Sequence, residues 1–455
     1  MFQEFGVTIL ESCILPKSKI DITVKSMDTI SFDDFKNHLT RVLPILFDLI
    51  SAHEGELLTN ELKNLMFQTL LAEFLFEQCG ECDFFRTEEV KLNKHVGNLE
   101  GKIIHLMKDP AVFHYIRKNL MKVYKDKLSG DNWKKNPGAI YGLVRFCHVF
   151  HSGTMTFQMN LVVGKFILSI ATQLMENSSF VYLKVCGLKL FKSLLETYKT
   201  AIFLKENIND VIFTHCKDNF DKITSPVEME LLWNCTTQTF FQTTTLNMSD
   251  VNFDWKKVDD CFKYLINNLQ LGCFDGINPT REKVLQNALG NVVALSMSNC
   301  DDPELSDSVG DITAQFSPKE QKALRAAKRI RGDEFNVKSY RWVKSLFDYF
   351  MCLLGTLVRQ EELKEDAEET IKFVLITYLM TVSCVKEELL EELLTEFISK
   401  ILKVCAEILD KYRNAGNSCN KILVIFMQKI HKRMPLQNIT GMALGKLLAR
   451  CESCI

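Results

Sequence analysis

Leu389-Leu390-Glu391-Glu392-Leu393-Leu394-Thr395-Glu396-Phe397-Ile398-Ser399-Lys400-Ile401-Leu402 is the stretch on which the reading of the fold turns. Its apolar residues recur three and four apart and continue through Cys405, Ile408 and Leu409, the spacing of one face of an α-helix. Glu387, Glu388, Glu391 and Glu392 gather early and Lys400, Lys403 and Lys411 late, which suits the helix dipole. Ala415-Gly416-Asn417 ends it, and one more helix is expected from Asn420 to about Lys432. The pairs Glu387/Glu391 and Glu388/Glu392 each share a face. The Glu-x-x-His that a di-metal bundle would add is absent from the sequence, so these carboxylates read as a solvated surface.

The same periodicity recurs toward the N-terminus. Leu39, Val42, Leu43, Leu46, Phe47 and Ile50 form one face, with Pro44 inside it; the missing donor and the ring clash predict that this helix starts near Pro44 or kinks there. Leu58, Leu62, Leu65, Met66 and Phe74 predict a second face. Asp109-Pro110 predicts the cap and first residue of a third helix, with Phe113, Ile116, Leu120 and Tyr124 inward. Three more faces follow: Ile140, Leu143, Val144, Cys147; Val163, Phe166, Ile167, Ile170, Leu174; and Leu183, Gly187, Leu190, Phe191, Leu194. Ser225-Pro226-Val227-Glu228 has the form of a capping box, worth about 1 kcal/mol.

With 20 Gly and 9 Pro among 455 residues, the chain lacks the punctuation of a many-stranded fold. Helices of roughly 12 to 20 residues with short connections predict an all-α array of stacked helix pairs. Ankyrin, leucine-rich and tetratricopeptide signatures are absent, so the expected architecture is a HEAT- or armadillo-like solenoid. The expected segments are an N-terminal helical region (1–125), central repeats (126–298), a charged insertion or linker (299–335) and C-terminal repeats (336–455).

Lys and Arg number 55 against 57 Asp and Glu, a net charge of -2, so the global basic field of a nucleic-acid-binding protein is missing. The apolar run from Phe373 to Val385, bounded by Lys372 and Lys386, is shorter than the ~20 residues that cross a bilayer and predicts a core helix. The start has no basic region and carries Glu4 and Glu11, so no export is expected. The 16 cysteines, Cys147, Cys186, Cys384 and Cys405 among them, are expected as free thiols of a reducing compartment. The Asn177 and Asn438 triplets are expected without glycan.

Candidate chemistry is thin. His53-Glu54 lacks the second histidine of a zinc protease, having Leu57 there. Gly97-Asn98-Leu99-Glu100-Gly101-Lys102 is one residue short of a phosphate loop and is followed by Ile103. Cys79-Gly80-Glu81-Cys82 and Cys451-Glu452-Ser453-Cys454 are half-sites for zinc at opposite ends of the chain, and His148 and His151 beside Cys147 lack a further identifiable ligand. No Gly-x-Ser-x-Gly elbow occurs. No enzyme class, metal or cofactor is expected.

Two surfaces remain as candidates. Acidic Asp301, Asp302, Glu304, Asp307 and Asp311 precede Lys319, Lys322, Arg325, Lys328, Arg329 and Arg331; this is a solvated insertion or a docking site for an acidic partner. The stripe of Leu389, Leu393, Phe397 and Ile401 is wide enough to pack two neighbouring helices or to meet a partner.

Trp133-Lys134-Lys135-Asn136-Pro137 resembles the Trp-Lys-x-Asn-Pro opening of the Tel-two-interacting protein two family, where it begins a series of helical repeats. Val185-Cys186-Gly187-Leu188-Lys189-Leu190-Phe191 and the Ser225-Pro226-Val227-Glu228 helix start are similar to later family features, in matching order over about a quarter of the chain. Read by themselves, Trp133 can bury a large ring and Asn136-Pro137 can end one segment and start the next. The resemblance implies a non-enzymatic subunit of the Triple-T complex. Its partners would be Tel-two, Tel-two-interacting protein one, the heat-shock chaperone system and the phosphatidylinositol 3-kinase-related protein kinases it helps mature. It implies a cytoplasmic protein, with the nucleus as a second compartment, and neither nucleic acid nor membrane as partner. The alternative is a generic helical-repeat scaffold or transport adaptor with a different protein partner.

Overall fold

The computed structural model describes residues 2–17, 21–22, 33–78, 90–152, 161–177, 180–197, 207–219, 387–412, 418–433 and 439–452, with scattered positions between 225 and 378. Among the described residues every regular element is helical and no strand occurs. None of these helices is long and apolar enough to cross a membrane. The chain divides into two compact units, Met1–Ile202 with Lys217–Leu231, and Phe203–Cys216 with Leu232–Ile455.

The first unit contains α1 (Phe2–Cys13), α2 (Asp33–Ala52), the single turn α3 (Glu54–Leu57), α4 (Leu65–Gln78), α5 (Val90–Leu106), α6 (Pro110–Leu128), α7 (Pro137–Ser152), α8 (Leu161–Asn177) and α9 (Val181–Thr197). α10 (Ile208–Asn219) follows. Its centre is α4, which packs against α1, α5, α6 and α7. Leu65, Phe67, Leu71, Phe74, Leu75 and Phe76 point in different directions around α4 and are all buried. A helix that is apolar all round belongs inside a core, not on its edge.

Leu58, Leu62, Leu65, Met66 and Phe74 do not form the single amphipathic face that their spacing predicts. Leu58, Leu65 and Phe74 are buried, but Leu62 and Met66 are 77% and 57% exposed. The chain breaks into α3, a 3-10 turn at Leu62–Asn64 and α4. Two buried amides direct the break. Asn64 Nδ2 donates to Thr59 Oγ1 at 2.7 Å and to the Glu56 carbonyl at 2.5 Å, and Gln68 Nε2 donates to the Thr59 carbonyl. Buried amides need such partners, and meeting that need turns Leu62 and Met66 outward. α2 likewise starts at Asp33, well before Pro44, and passes through it; the proline ring sits on the exposed side, away from Leu39, Leu43 and Leu46.

The other helices follow their apolar spacing. Asp109 Oδ1 accepts from the amides of Ala111 at 2.8 Å and Val112 at 3.4 Å, with Pro110 in the first turn, and Ile116, Leu120 and Tyr124 are buried below. α7 packs on α4, α6 and α9, and α8 pairs with α9. Two glycines let these helices approach closely. A Cβ on Gly142 would lie 2.8 Å from Tyr124 Oη, and one on Gly187 would lie 3.1 Å from the Ala171 carbonyl oxygen.

In the second unit, α11 (Glu387–Lys411), α12 (Ser418–Arg433) and α13 (Ile439–Glu452) pack on one another. Helical residues between 344 and 359 lie along α11 through Lys344–Glu396 at 2.6 Å, Asp348–Lys400 at 3.0 Å and Arg359–Glu407 at 3.3 Å. Residue numbers rise together on both sides, so the two stretches run in the same direction. Phe347, Tyr378, Phe397 and Phe426 form the buried centre, and Tyr378 donates to the Phe347 carbonyl at 2.5 Å.

Glycines in α5 and α7 predict opposite responses to a methyl group. Gly97 and Gly101 are exposed in α5 with open space at the Cβ position, so Gly97→Ala or Gly101→Ala should stabilise the first unit by about 1 kcal/mol. Gly142→Ala should destabilise it, because Tyr124 must shift. Urea denaturation of the three variants checks the signs.

Candidate functional site

α6 ends at Leu128, and the chain must leave it with its last carbonyls satisfied. Gly130 takes the turn at φ 60, in the left-handed region that favours glycine, and a 3-10 helix spans Gly130–Lys135. Trp133 drops from that turn into the core and is 1% exposed. Asn136 Nδ2 donates to the Lys127 carbonyl at 2.9 Å and to the Asn132 carbonyl at 2.7 Å, tying off α6. Pro137, buried, begins α7. The Ile22 amide donates to the Lys134 carbonyl at 2.8 Å, so the stretch after α1 is fastened to the same joint. Lys134 itself pairs with Asp131 at 2.8 Å.

Beneath the joint lies a charged cluster that sequence reasoning missed. Lys127 Nζ sits 2.8 Å from Glu73 Oε1 and 3.2 Å from Glu77 Oε1, and both carboxylates are almost fully buried. Glu77 Oε2 accepts from the Leu15 amide at 3.2 Å, and a Cβ on Gly138 would come within 3.0 Å of the same oxygen. One ammonium is therefore shared by two carboxylates, while Glu77 alone reaches the tail of α1, α6 and α7. Burial pushes the Glu77 carboxyl up to about 7; Lys127 and the Leu15 amide oppose the rise and Glu73 adds to it. Burial by itself would lower Lys127, yet Glu77 and Glu73 hold it above the ordinary lysine value. Burial, then Glu77, Glu73 and Cys147, keep the Tyr124 phenol far above its usual range. A signal existed in the sequence, since Glu73 and Glu77 are four apart inside an otherwise apolar run. A second pair ties α5 to α7, with Arg145 Nε and Nη2 on Glu100 Oε1 and Oε2 at 2.6 and 2.9 Å.

The remaining sequence candidates sit elsewhere. Ser225 is half-buried ahead of helical Val227 and Glu228, and Glu228 is 1% exposed; Pro226 lies outside the described residues. Lys319, Lys322 and Arg325 lie outside them too, as does the side chain of Leu389. Leu393, Phe397 and Ile401 were candidates for a partner surface, but they are buried within the second unit. The wide stripe packs the chain's own neighbouring helices, with Phe397 against Phe347. The exposed part of α11 that borders residues 344–359 is instead an ion-paired edge.

The discarded motifs find structural places. Gly97 to Lys102 lies within continuous α5, where the amides a phosphate would need already serve the helix, and Lys102 pairs with Glu54. Cys147 is fully buried, its thiol pushed up to about 12 by burial, so it offers no thiolate to a metal or substrate at neutral pH. The side chains of His151 and of both Cys-x-x-C pairs lie outside the described residues. Among the described residues no group of three or more His, Cys, Asp or Glu is placed to hold a metal ion. The described arrangement offers buried joints and paired surfaces for holding helices together. No protein-family model matches the chain, and no curated protein matches it.

The Glu77 shift gives a pH dependence whose sign follows from linkage. A carboxyl raised in the folded state contributes stability that is full below its ordinary value of 4.5 and is lost as pH rises through about 7. Denaturation midpoints of the wild type should therefore fall across that window relative to those of Glu77→Gln. Midpoint-pH curves that run parallel in the two proteins would contradict the assignment.

Proposed function

We propose that the chain is a non-catalytic helical-repeat scaffold, a subunit of the Tel-two complex that supports maturation and stability of phosphatidylinositol 3-kinase-related protein kinases. The observation that carries the reading is the Trp133–Pro137 joint. The residues that give the chain its family resemblance are those that bury a ring, close α6 and open α7. Residues that build such a joint serve the helical architecture and ask nothing of catalysis.

The contacts among α7, α8 and α9 are what speaks for the solenoid part of the proposal. α8 pairs with α9, and α9 also meets α7, as successive helices of an array do, while α6 and α7 pack in addition on the central α4. Tel-two, Tel-two-interacting protein one, the heat-shock chaperone system and the client kinases are the partners in this proposal. The compartment is the cytoplasm, with the nucleus as a second.

Affinity purification of the tagged chain from its own cells at moderate salt tests the reading. The two other Tel-two complex subunits should be recovered in stoichiometric amounts. Clean recovery of a different partner without them would make the chain a scaffold or transport adaptor of another assembly.

A further inference from the structure

The surface of α6 departs from the charge balance of the chain. Between residues 110 and 197 the sequence has twelve Lys and Arg against only Asp126, Asp131, Glu176 and Glu196, although the whole chain is net -2. The rest of the chain therefore carries a clear acidic excess.

Not all of those cations are available. Lys127 turns inward to Glu73 and Glu77, Lys134 is held by Asp131, Arg145 by Glu100, and Arg117 lies over the Phe113 ring. Lys118 and Lys122 are exposed and Lys125 is half-buried, and among the described residues no carboxylate reaches any of the three. Their spacing, i, i+4 and i+7, puts them on one side of α6, opposite the buried Ile116, Leu120 and Tyr124. Lys125 Nζ is steadied 5.9 Å from the centre of the Phe166 ring on α8, and Tyr115 is 38% exposed on the lysine side. In the second unit Lys344, Arg359, Lys400 and Arg450 each meet a carboxylate. Lys118 and Lys122, four apart with like charge, repel one another and mildly weaken the helix that bears them.

We propose that the Lys118–Lys122–Lys125 face of α6 is a docking surface for an acidic polypeptide segment of a partner protein. The three ammonium groups extend over about 10 Å of helix, the length of a few carboxylates on a short segment. A long polyanion such as nucleic acid would run beyond this face into the field of an otherwise acidic chain, whereas a short acidic segment feels only the local charge. Tyr115 adds an apolar body beside the charges, as protein-binding surfaces commonly do. The inference goes beyond the assignment to a complex and does not depend on it.

The test uses the full chain and a fluorescently labelled twenty-residue glutamate-rich peptide, with a single-stranded oligonucleotide of equal charge as competitor. The peptide should bind saturably at low salt and weaken steeply as salt rises, because the contacts are surface ion pairs. The triple variant Lys118→Gln, Lys122→Gln, Lys125→Gln should bind about tenfold more weakly, three modest ion pairs together accounting for one decade. Lys400→Gln, which removes a cation already paired with Asp348, should bind as the wild type does. Glutamine keeps helix propensity at exposed sites, so the triple variant should fold normally. The proposal is overturned if the peptide fails to bind, if the triple variant binds it as tightly as wild type, or if the oligonucleotide binds more tightly than the peptide.

Discussion

The first unit depends on one buried electrostatic arrangement, a single lysine held between two carboxylates on a helix that is otherwise apolar on every side. α4 could have been filled with leucine and phenylalanine alone, and replacing buried ion pairs by apolar residues often leaves a protein as stable or more so. What the charges add is direction. Glu77 meets the tail of α1, Lys127 of α6 and the close approach of Gly138 on α7, so three neighbours of α4 are set relative to one oxygen pair. Apolar packing is tolerant of small slides, and hydrogen-bonded charges are much less so.

The Trp133–Pro137 joint completes that arrangement from outside. Asn136 holds the carbonyl of Lys127, the residue whose ammonium lies between Glu73 and Glu77. The same residue therefore has its backbone fixed by the joint and its side chain fixed by the core. The Trp-Lys-x-Asn-Pro sequence terminates α6 at the position that aims Lys127 inward and starts α7 at the position that brings Gly138 against Glu77 and Gly142 against Tyr124.

Much of this was legible in the sequence where a helix has one wet and one dry side. α6 and α11 show their apolar spacing openly, and the Asp109-Pro110 start is spelled out by residue type. α4 was not legible in the same way. A helix buried all round has no period to read, and its boundaries were set by Asn64 and Gln68 reaching into the preceding turn. Glu73 and Glu77 could be seen as carboxylates in an apolar run, but their shared partner is fifty residues from Glu77 in sequence. The width of the α11 stripe was visible, while its occupants were not: Phe397 meets Phe347, which no local pattern announces. The roles of Trp133 and Pro137 were the most readable of the site, since a large ring and a helix-starting proline carry their physics in their own chemistry.

The central claim is that Lys127 and the two glutamates act as one unit, and a double-mutant cycle between Glu77→Gln and Lys127→Met tests it most directly. Lys127→Met alone should be the most damaging change, because it leaves two buried carboxylates without a counter-ion. Adding Glu77→Gln to it should restore much of the lost stability, giving a coupling of about 1 to 3 kcal/mol between the sites. Additive effects in the double variant would contradict the account, and would mean that α4 is held by its apolar contacts alone.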